Sequence, residues 1–273
     1  MHNKQYLYCL IFYLLFLKLQ NCFAQECKTI NQAFKAGEEL TYHIEYNWGP
    51  FWAEAGKVTF SVNEKEWLGK TYFNYKGIGS TYPKYDWFFK VNDRYEAYTD
   101  SISLKPIRFI RDVSEGGNYY YEENLFFPSK NKVYTYLKKG KKEAKRDTIS
   151  VSDCTFDVLS LIYFSRNINF DNYKINDTIP VKIFLDNEAH QIYIRYLGKE
   201  SYTSPYLGTF NCIKFSAMLI EGTIFKSGEH MSVYVTDDLN KIPLYIESKI
   251  LVGNIKVYLK EHKNLRNSLT SKK

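Results

Sequence analysis

The stretch Glu39-Leu-Thr-Tyr-His-Ile-Glu-Tyr-Asn-Trp48 decides the fold class of this chain. Every second residue from Leu40 onward is apolar or aromatic, and the residues between them are polar. Because successive side chains of a strand point to opposite faces, this period of two predicts a long strand with one buried face. The same alternation returns along most of the chain, which predicts a mainly β protein.

The alternating segments number about a dozen and are joined by short connections. Gly116-Gly117-Asn118 is a turn signal between two of them, and Gly253-Asn254 predicts a tight hairpin near the end. Short connections favour antiparallel pairing, because parallel neighbours need long crossovers. A sheet of this size must curl, split or close. We therefore predict a strongly curved antiparallel sheet, in the form of a half-barrel or open barrel.

One segment departs from the alternation. Between residues 154 and 167 the apolar residues recur at helical spacing, and Ser152 or Asp153 is a suitable N-cap. Much of the girth of this segment is apolar, so we predict one central amphipathic helix packed on the concave side of the sheet. Asp157 and Arg166 are charged residues on this helix that need partners, and we expect each to tie the helix to the sheet.

The first 24 residues are predicted to be an export signal. Lys4 precedes an apolar run over residues 7–17, and Cys22-Phe23-Ala24 places small residues where a signal peptidase cleaves. Lys18 leaves the run short of the roughly 20 apolar residues that a membrane span needs, and an uncleaved anchor is the alternative. Lipidation at Cys22 is a further alternative. The predicted organisation is a signal peptide over 1–24, a single β-rich domain over 25–262 and a polar basic tail over 263–273 that frays.

Charge and cysteine content narrow the function classes. Removal of the signal takes away Lys4 and Lys18 and no acid, so the net charge falls from +7 to +5. The lysine-rich segment 138–146 surrounds a glycine and is typical of the solvated tip of a hairpin, so we predict no nucleic-acid partner. No segment after the signal is apolar enough to span a membrane. The remaining cysteines, Cys27, Cys154 and Cys212, allow one disulfide of open pairing, or simply buried small side chains.

The order of several short motifs resembles a known family. The segment Phe34-Lys-Ala-Gly-Glu38 leads into the first strand, and Ala55-Gly56 opens the next. Further matching motifs are Asp157-Val-Leu-Ser-Leu-Ile-Tyr163 with Arg166, Gly208-Thr-Phe-Asn-Cys212, Val235-Thr-Asp237-Asp238, Pro243 and Gly253. Together they resemble the bacterial domain-of-unknown-function family 3108 over residues 34–260. The resemblance implies an exported protein of a Gram-negative bacterium, periplasmic or associated with the outer membrane. It implies no activity, substrate or catalytic residue.

The sequence contains no strong catalytic or metal motif. There is no Gly-x-Ser-x-Gly elbow, dinucleotide fingerprint or phosphate-binding loop. Asp186, Glu188 and His190 alternate on one face of a predicted hairpin, but their spacing matches no zinc or calcium pattern. Asp237-Asp238 is more typical of a turn than of a catalytic carboxylate pair. We therefore predict no catalytic residue, no metal site and no cofactor.

Aromatic residues are the strongest candidates for binding. Six of them fall in two segments, each near a proline: Trp48, Phe51, Trp52, Trp87, Phe88 and Phe89. Aromatic side chains at the mouth of a barrel contact apolar ligands or partner surfaces, although aromatic residues in strands also form ordinary core. The predicted ligand-binding residues are Trp48, Trp52, Trp87, Asp157 and Arg166.

Three function classes follow. The favoured one is a non-enzymatic envelope protein that binds an apolar or amphipathic ligand, or an envelope partner, and it predicts an apolar cavity between helix and sheet. The second is an enzyme acting on an envelope glycan or lipid, with convergent polar groups drawn from Asp157, Arg166, Asp237 and Glu38. The third is a structural or assembly factor without a small ligand.

A tripeptide recurs three times. Asp100-Ser-Ile, Asp147-Thr-Ile and Asp177-Thr-Ile each resemble the acceptor of some Gram-negative O-glycosylation systems. Each is also explained by a turn leading into a strand. If they are acceptors, we expect them in solvent-facing loops.

Overall fold

A computed structural model describes residues 29–48, 51–87, 89–220, 227–250 and 253–273. The predicted signal peptide over 1–24 and the lipidation candidate Cys22 lie outside these residues, so both stay predictions. Within the described residues, no helix combines the length and the apolar run that crossing a membrane requires.

The described strands form one sheet of 15 strands. Their bounds are β1 Glu39–Trp48, β2 Phe51–Trp67, β3 Lys70–Thr81, β4 Val91–Asp100, β5 Pro106–Glu115, β6 Asn118–Phe127, β7 Lys132–Lys139, β8 Lys145–Ser150, β9 Thr155–Phe156, β10 Thr178–Leu185, β11 Glu188–Ser204, β12 Gly208–Leu219, β13 Gly228–Thr236, β14 Pro243–Lys249 and β15 Asn254–Lys263. Among the described residues, the single α-helix, α1, spans Val158–Ser165. Short 3-10 helices occur at Pro83–Tyr85, Pro128–Lys130 and Phe170–Asn172.

Strand pairing follows the chain closely. The order across the sheet is β8-β7-β6-β5-β4-β3-β2-β1-β15-β14-β13-β12-β11-β10-β9, with β1 and β15 joining the two halves. All pairs are antiparallel except the short one between β9 and β10. Strands β8 and β9 are the two ends of the order, so the sheet does not close by hydrogen bonds. The predicted curved, open, antiparallel architecture is therefore confirmed.

The sheet curls until one end lies inside the other. Phe184 of β10 packs edge-on against Phe126 of β6, with ring centroids 6.1 Å apart. Beyond it, Asp186 in the β10–β11 turn forms an ion pair with Arg111 of β5. Both phenylalanines belong to the buried core that also contains α1. The β9–β10 end thus packs against the inner face of β5 and β6, which gives a spiral cross-section rather than a closed barrel.

Helix α1 fills the inside of this curl. It contacts β3 and β4 on one side and β10 on the other. Tyr163 stacks on Tyr75 of β3 with centroids 4.1 Å apart, and Phe34 packs edge-on against Tyr163 at 5.0 Å. Phe164 contacts Phe156 at 4.5 Å. These rings are buried, so interlocking aromatic side chains join helix to sheet.

The helix is shorter than predicted. We expected it over 154–167 with Ser152 or Asp153 as N-cap, but it begins after Asp157. The reason is tertiary: Thr155–Phe156 pairs with Lys182 and Ile183 as strand β9, which holds this backbone extended. Local helical spacing is overridden there by a strand partner.

Two further differences concern the strands. The sequence pattern missed β8, whose exposed polar residues show no alternation, and β9, which has only two residues. The segment 198–208, which the sequence allows as a loop or a hairpin, is largely the hairpin of β11 and β12. A register shift at Gly198, where φ is +101°, reverses the alternation and disguises the strand.

Two surface predictions have opposite outcomes. The lysine-rich segment 138–146 forms the exposed tip of the β7–β8 hairpin, as predicted. The prediction that the C-terminal tail frays is wrong for the residues after Lys263. Arg266 donates to the Phe34 carbonyl at 3.2 Å, and Lys273 donates its backbone N–H to Thr209 at 2.9 Å. The tail therefore packs along β12 and the N-terminal segment.

Candidate functional site

Two aromatic segments meet at one end of the sheet. The β1–β2 hairpin carries Trp48 and Trp52, and the β3–β4 connection carries Trp87 and Phe89. The connection is fastened beside β2, because Tyr82 donates its backbone N–H to Ala55 at 3.0 Å. We call the described side chains of Trp52, Trp87 and Phe89 the aromatic rim. The side chains of Trp48, Phe51 and Phe88 lie outside the described residues.

The aromatic rim is exposed to solvent. Trp87 is 82% exposed, Phe89 45% and Trp52 39%. The Lys256 ammonium lies 4.0 Å from the Trp52 ring centroid, which places a cation over an aromatic face. Phe89 rests on the turn glycine Gly116, where an added Cβ would approach the ring to 2.5 Å. Large exposed aromatics grouped in this way are typical of interaction surfaces.

Arg166 lies in a buried cluster rather than at a surface. It is 3% exposed, and two of its nitrogens donate to the Glu38 carboxylate at 2.5 and 2.9 Å. Its other bonds go to the backbone carbonyls of Ala33 at 3.2 Å and Asn240 at 3.0 Å. Burial lowers and the Glu38 carboxylate raises the pKa of Arg166, with a net rise. Arg166 therefore joins the helix end, the N-terminal segment and the β13–β14 turn.

Asp157 caps its own helix. Its Oδ1 accepts from the Ser160 backbone N–H at 2.9 Å, and its Oδ2 accepts from the Ser160 hydroxyl at 2.7 Å. Complete burial raises the pKa of Asp157 to about 6, although the bonds from Ser160 oppose the rise. Both charged candidates for ligand binding thus have buried structural partners.

A third cluster lies on the inner face of β5 and β6, beneath the β10–β11 turn. Arg111 pairs with Asp186 at 2.5 Å, and its Nη2 is 3.0 Å from Glu122 Oε2. Asn124, fully buried, donates to the other Glu122 oxygen at 2.8 Å. Burial raises the pKa of Glu122, while Arg111 opposes that rise. This cluster fastens the inner end of the sheet to the outer turn of the spiral.

A carboxyl group beside this cluster is also perturbed. Burial, and next the Glu115 carboxylate, raise the pKa of Asp93 to about 7. Asp93 lies opposite Val113 in the β4–β5 register, close to the Phe89 end of the aromatic rim. The carboxyl group therefore changes charge near neutral pH.

The other carboxylates weighed in the sequence have local partners. Asp238 accepts from Thr236, Asn240 and Ser271 in a turn, as expected, and Asp237 pairs with Lys199 at 3.1 Å. The proposed enzyme members Glu38, Arg166, Asp157 and Asp237 thus divide among an ion pair, a helix cap and a surface pair. Among the described residues, no three His, Cys, Asp or Glu side chains are placed to hold a metal ion.

The expected apolar cavity between helix and sheet is occupied by side chains. Buried rings of Phe34, Tyr75, Tyr163 and Phe156 fill that interface in the described part of the chain. A cavity of about 20 Å³ lies elsewhere, beside the 151–155 connection, and has room for about one water molecule. The described interface between α1 and the sheet is therefore packed with aromatic side chains.

The register of the β5–β6 hairpin would have predicted one buried ion pair from the sequence. The turn at Gly116-Gly117 places Arg111 directly opposite Glu122, and both stand on the apolar phase of their strands. A charged pair on the buried face predicts an ion pair in the core. Its third member, Asp186, is distant in sequence and is brought there only by the curl of the sheet.

Comparison with models of protein families places the chain in a family of unknown function. The model of the family described as "Protein of unknown function (DUF3108)" matches residues 41–260. The chain belongs to this family, which confirms the resemblance seen in the sequence. A search of curated proteins finds no match.

Solved structures with a similar fold include one of a bacterial protein. It is the crystal structure of a β-barrel-like protein of domain of unknown function DUF1849 from Brucella abortus. The similarity covers 85% of this chain and 99% of that one, with a TM-score of 0.54 and 8% sequence identity. At this identity the likeness concerns the fold alone.

Proposed function

We propose that this chain is an exported, non-enzymatic binding protein that attaches through its aromatic rim to an amphipathic surface, the lipid–water interface of the cell envelope. The observation that carries the proposal is the exposure of Trp87, Phe89 and Trp52 at one end of a rigid sheet. We do not include Asp157 and Arg166 in this surface, because both are buried in structural contacts.

Export is supported by the first 24 residues and by the cysteines. Cys154 takes part in a disulfide, whereas Cys212 is a buried free thiol. Disulfides persist in oxidising compartments and are rare in the cytosol. A disulfide at Cys154 therefore agrees with export, which the first 24 residues predict independently.

The chemistry of the rim favours a lipid interface over an enclosed apolar ligand. Tryptophan and tyrosine, with an apolar ring and a polar group, are enriched where hydrocarbon meets water. Lys256 over Trp52, and Lys84 at 4.9 Å from the Tyr85 ring centroid, add ammonium groups suited to lipid phosphates. The described interface between helix and sheet is already filled by aromatic rings.

Sedimentation with lipid vesicles tests the proposal. The secreted chain from residue 25 onward is mixed with vesicles of phosphatidylethanolamine and phosphatidylglycerol, and the bound fraction is measured against lipid concentration. Trp87 exposes 82% of its surface, and removing half of a side chain of about 200 Å² from water is worth roughly 2 kcal/mol. Trp87→Ala should therefore weaken partitioning about 30-fold, and Phe89→Ala should weaken it further.

Trp67 provides the matched control. It is 65% exposed and lies at the far end of β2, about 50 Å along the strand from Trp52. Trp67→Ala should leave vesicle binding unchanged. Equal losses from the two substitutions, or no binding by the unaltered chain, would refute attachment through the rim. Vesicles of phosphatidylcholine alone show how much of the binding depends on anionic lipid.

A further inference from the structure

The three Asp-Ser/Thr-Ile tripeptides occupy different places in the sheet. Thr148 lies in β8, and Thr178 is the first residue of β10. Ser101 lies in the turn between β4 and β5, in the middle of the strand order. Thr148 and Thr178 are exposed, whereas Ser101 is half-buried. Thr148 and Thr178 therefore face solvent as expected of acceptors, but they lie in strands rather than in loops.

The two exposed tripeptides lie near opposite ends of the strand order. β8 ends the strand order, and Thr148 has a partner only in β7, at Tyr134. At the other end, β9 pairs with β10 only at Lys182 and Ile183. The outer side of β10 at Thr178 therefore has no strand partner in the part of the chain that the structure describes. Unpaired edges of this kind invite addition of a foreign strand unless they are covered.

Both acceptor residues are accessible to solvent. Thr148 lines a solvent-open depression beside Tyr134 and Arg146, and Thr178 is exposed at the start of β10. The neighbouring carboxylates are held by local backbone. Asp147 accepts from the Thr148 N–H at 2.7 Å, and Asp177 accepts from the Lys174 N–H at 2.8 Å.

Ser101 differs from both. Asp100 accepts from the backbone N–H of Ser103 and also from its hydroxyl, each at 2.8 Å, and from the Ile102 N–H at 3.2 Å. These bonds close a tight turn around the half-buried Ser101. The same tripeptide is thus exposed at Thr148 and at Thr178, whereas at Ser101 it is enclosed in a tight turn.

We propose that Thr148 and Thr178 are O-glycosylation acceptors whose glycans cover the β8 edge and the exposed start of β10. The threonine Oγ attacks the anomeric carbon of a glycan carried on a lipid diphosphate, and the Oγ–carbon bond forms. The bond from that carbon to the phosphate oxygen breaks, and its electron pair leaves with the phosphate. The hydroxyl proton passes to a base of the transferase. A bulky, hydrated glycan at each of these positions blocks strand addition. This inference depends on the export stated under Proposed function.

Mass spectrometry of the protein from its own host tests the inference. The intact mass of the unaltered protein should exceed that of the bare chain by two glycan increments, and peptide fragmentation should place them on Thr148 and Thr178. Thr148→Ala and Thr178→Ala should each remove one increment, and the double variant should remove both. Asp147→Asn, which retains the Thr148 hydroxyl, should also remove one. Ser101→Ala is the matched control and should remove none.

The same spectra separate the two possible failures. A bare mass, or glycan only on Ser101 or outside the tripeptides, overturns the inference. The first residue of the purified chain is read independently. A bare chain that begins near Gln25 would overturn glycosylation and leave export supported, whereas a retained leader would count against export itself.

Discussion

Neutralising Glu38 should destabilise the fold far more than neutralising its neighbour in sequence. The Glu38 carboxylate is fully buried and accepts both bonds from Arg166, which is itself 3% exposed. Glu38→Gln leaves a buried guanidinium without its counter-charge. Loss of one partner of a buried ion pair costs about 3–5 kcal/mol. That is a large share of a domain's total stability of about 5–15 kcal/mol.

Urea denaturation followed by tryptophan fluorescence measures this effect. With a urea slope of about 3 kcal/mol per molar, the midpoint should fall by about 1–2 M. Glu39→Gln is the matched control, because Glu39 pairs with Lys263 at 2.7 Å with both side chains exposed. An exposed pair is worth less than about 1 kcal/mol. Similar midpoints for the two variants would refute the reasoning.

A double variant separates the cost of an unpaired charge from the value of the pair. Glu38→Met combined with Arg166→Met replaces the ion pair by apolar side chains. It should recover part of the stability lost by either single variant, because no buried charge remains. A double variant as unstable as the sum of the singles would show that the backbone bonds of Arg166 to Ala33 and Asn240 dominate.

Two further predictions concern Asp157 and the cysteines. Because burial raises the pKa of Asp157 from 3.8 to about 6, the folded state holds this proton more tightly, so stability should fall by about 3 kcal/mol as pH rises through that window and then level off. Asp157→Asn, which keeps an acceptor for Ser160, should remove this fall in urea titrations at pH 4–7; an unchanged slope contradicts the assignment. Burial also raises the pKa of Cys212 to about 12, so this thiol should resist alkylation in the folded protein. In urea the secreted chain should show one reactive thiol without reductant and three with it; three without reductant would rule out the disulfide at Cys154.

Part of the candidate site was open to prediction from the sequence. The two aromatic segments were identified from composition, but their exposure depends on what packs over each ring. Trp87 is exposed, whereas Phe34 and Phe109 are completely buried. All three residues are aromatic, so only the elements packed around them distinguish a surface aromatic side chain from a core one.

The charged residues of the helix show a different limit. An acid and a base on an apolar helix predict partners, yet they do not reveal which partners. Asp157 satisfies its charge within its own first turn, which is local. Arg166 pairs with Glu38, which is 128 residues away. Contacts at this separation follow no local spacing, so the sequence pattern does not predict them.

The sequence by itself determines which segments form strands and where many of the hairpin turns fall. Alternation of period two specifies strands, and glycine-containing turns specify hairpins whose register pairs Arg111 with Glu122. These features are local, so they can be read from neighbouring residues. The tertiary structure decides the rest: the two open edges, the inward curl that brings Asp186 to Arg111, and the exposed rim. Curvature accumulates over many strands, and contacts made across it depend on the whole sheet rather than on any one segment.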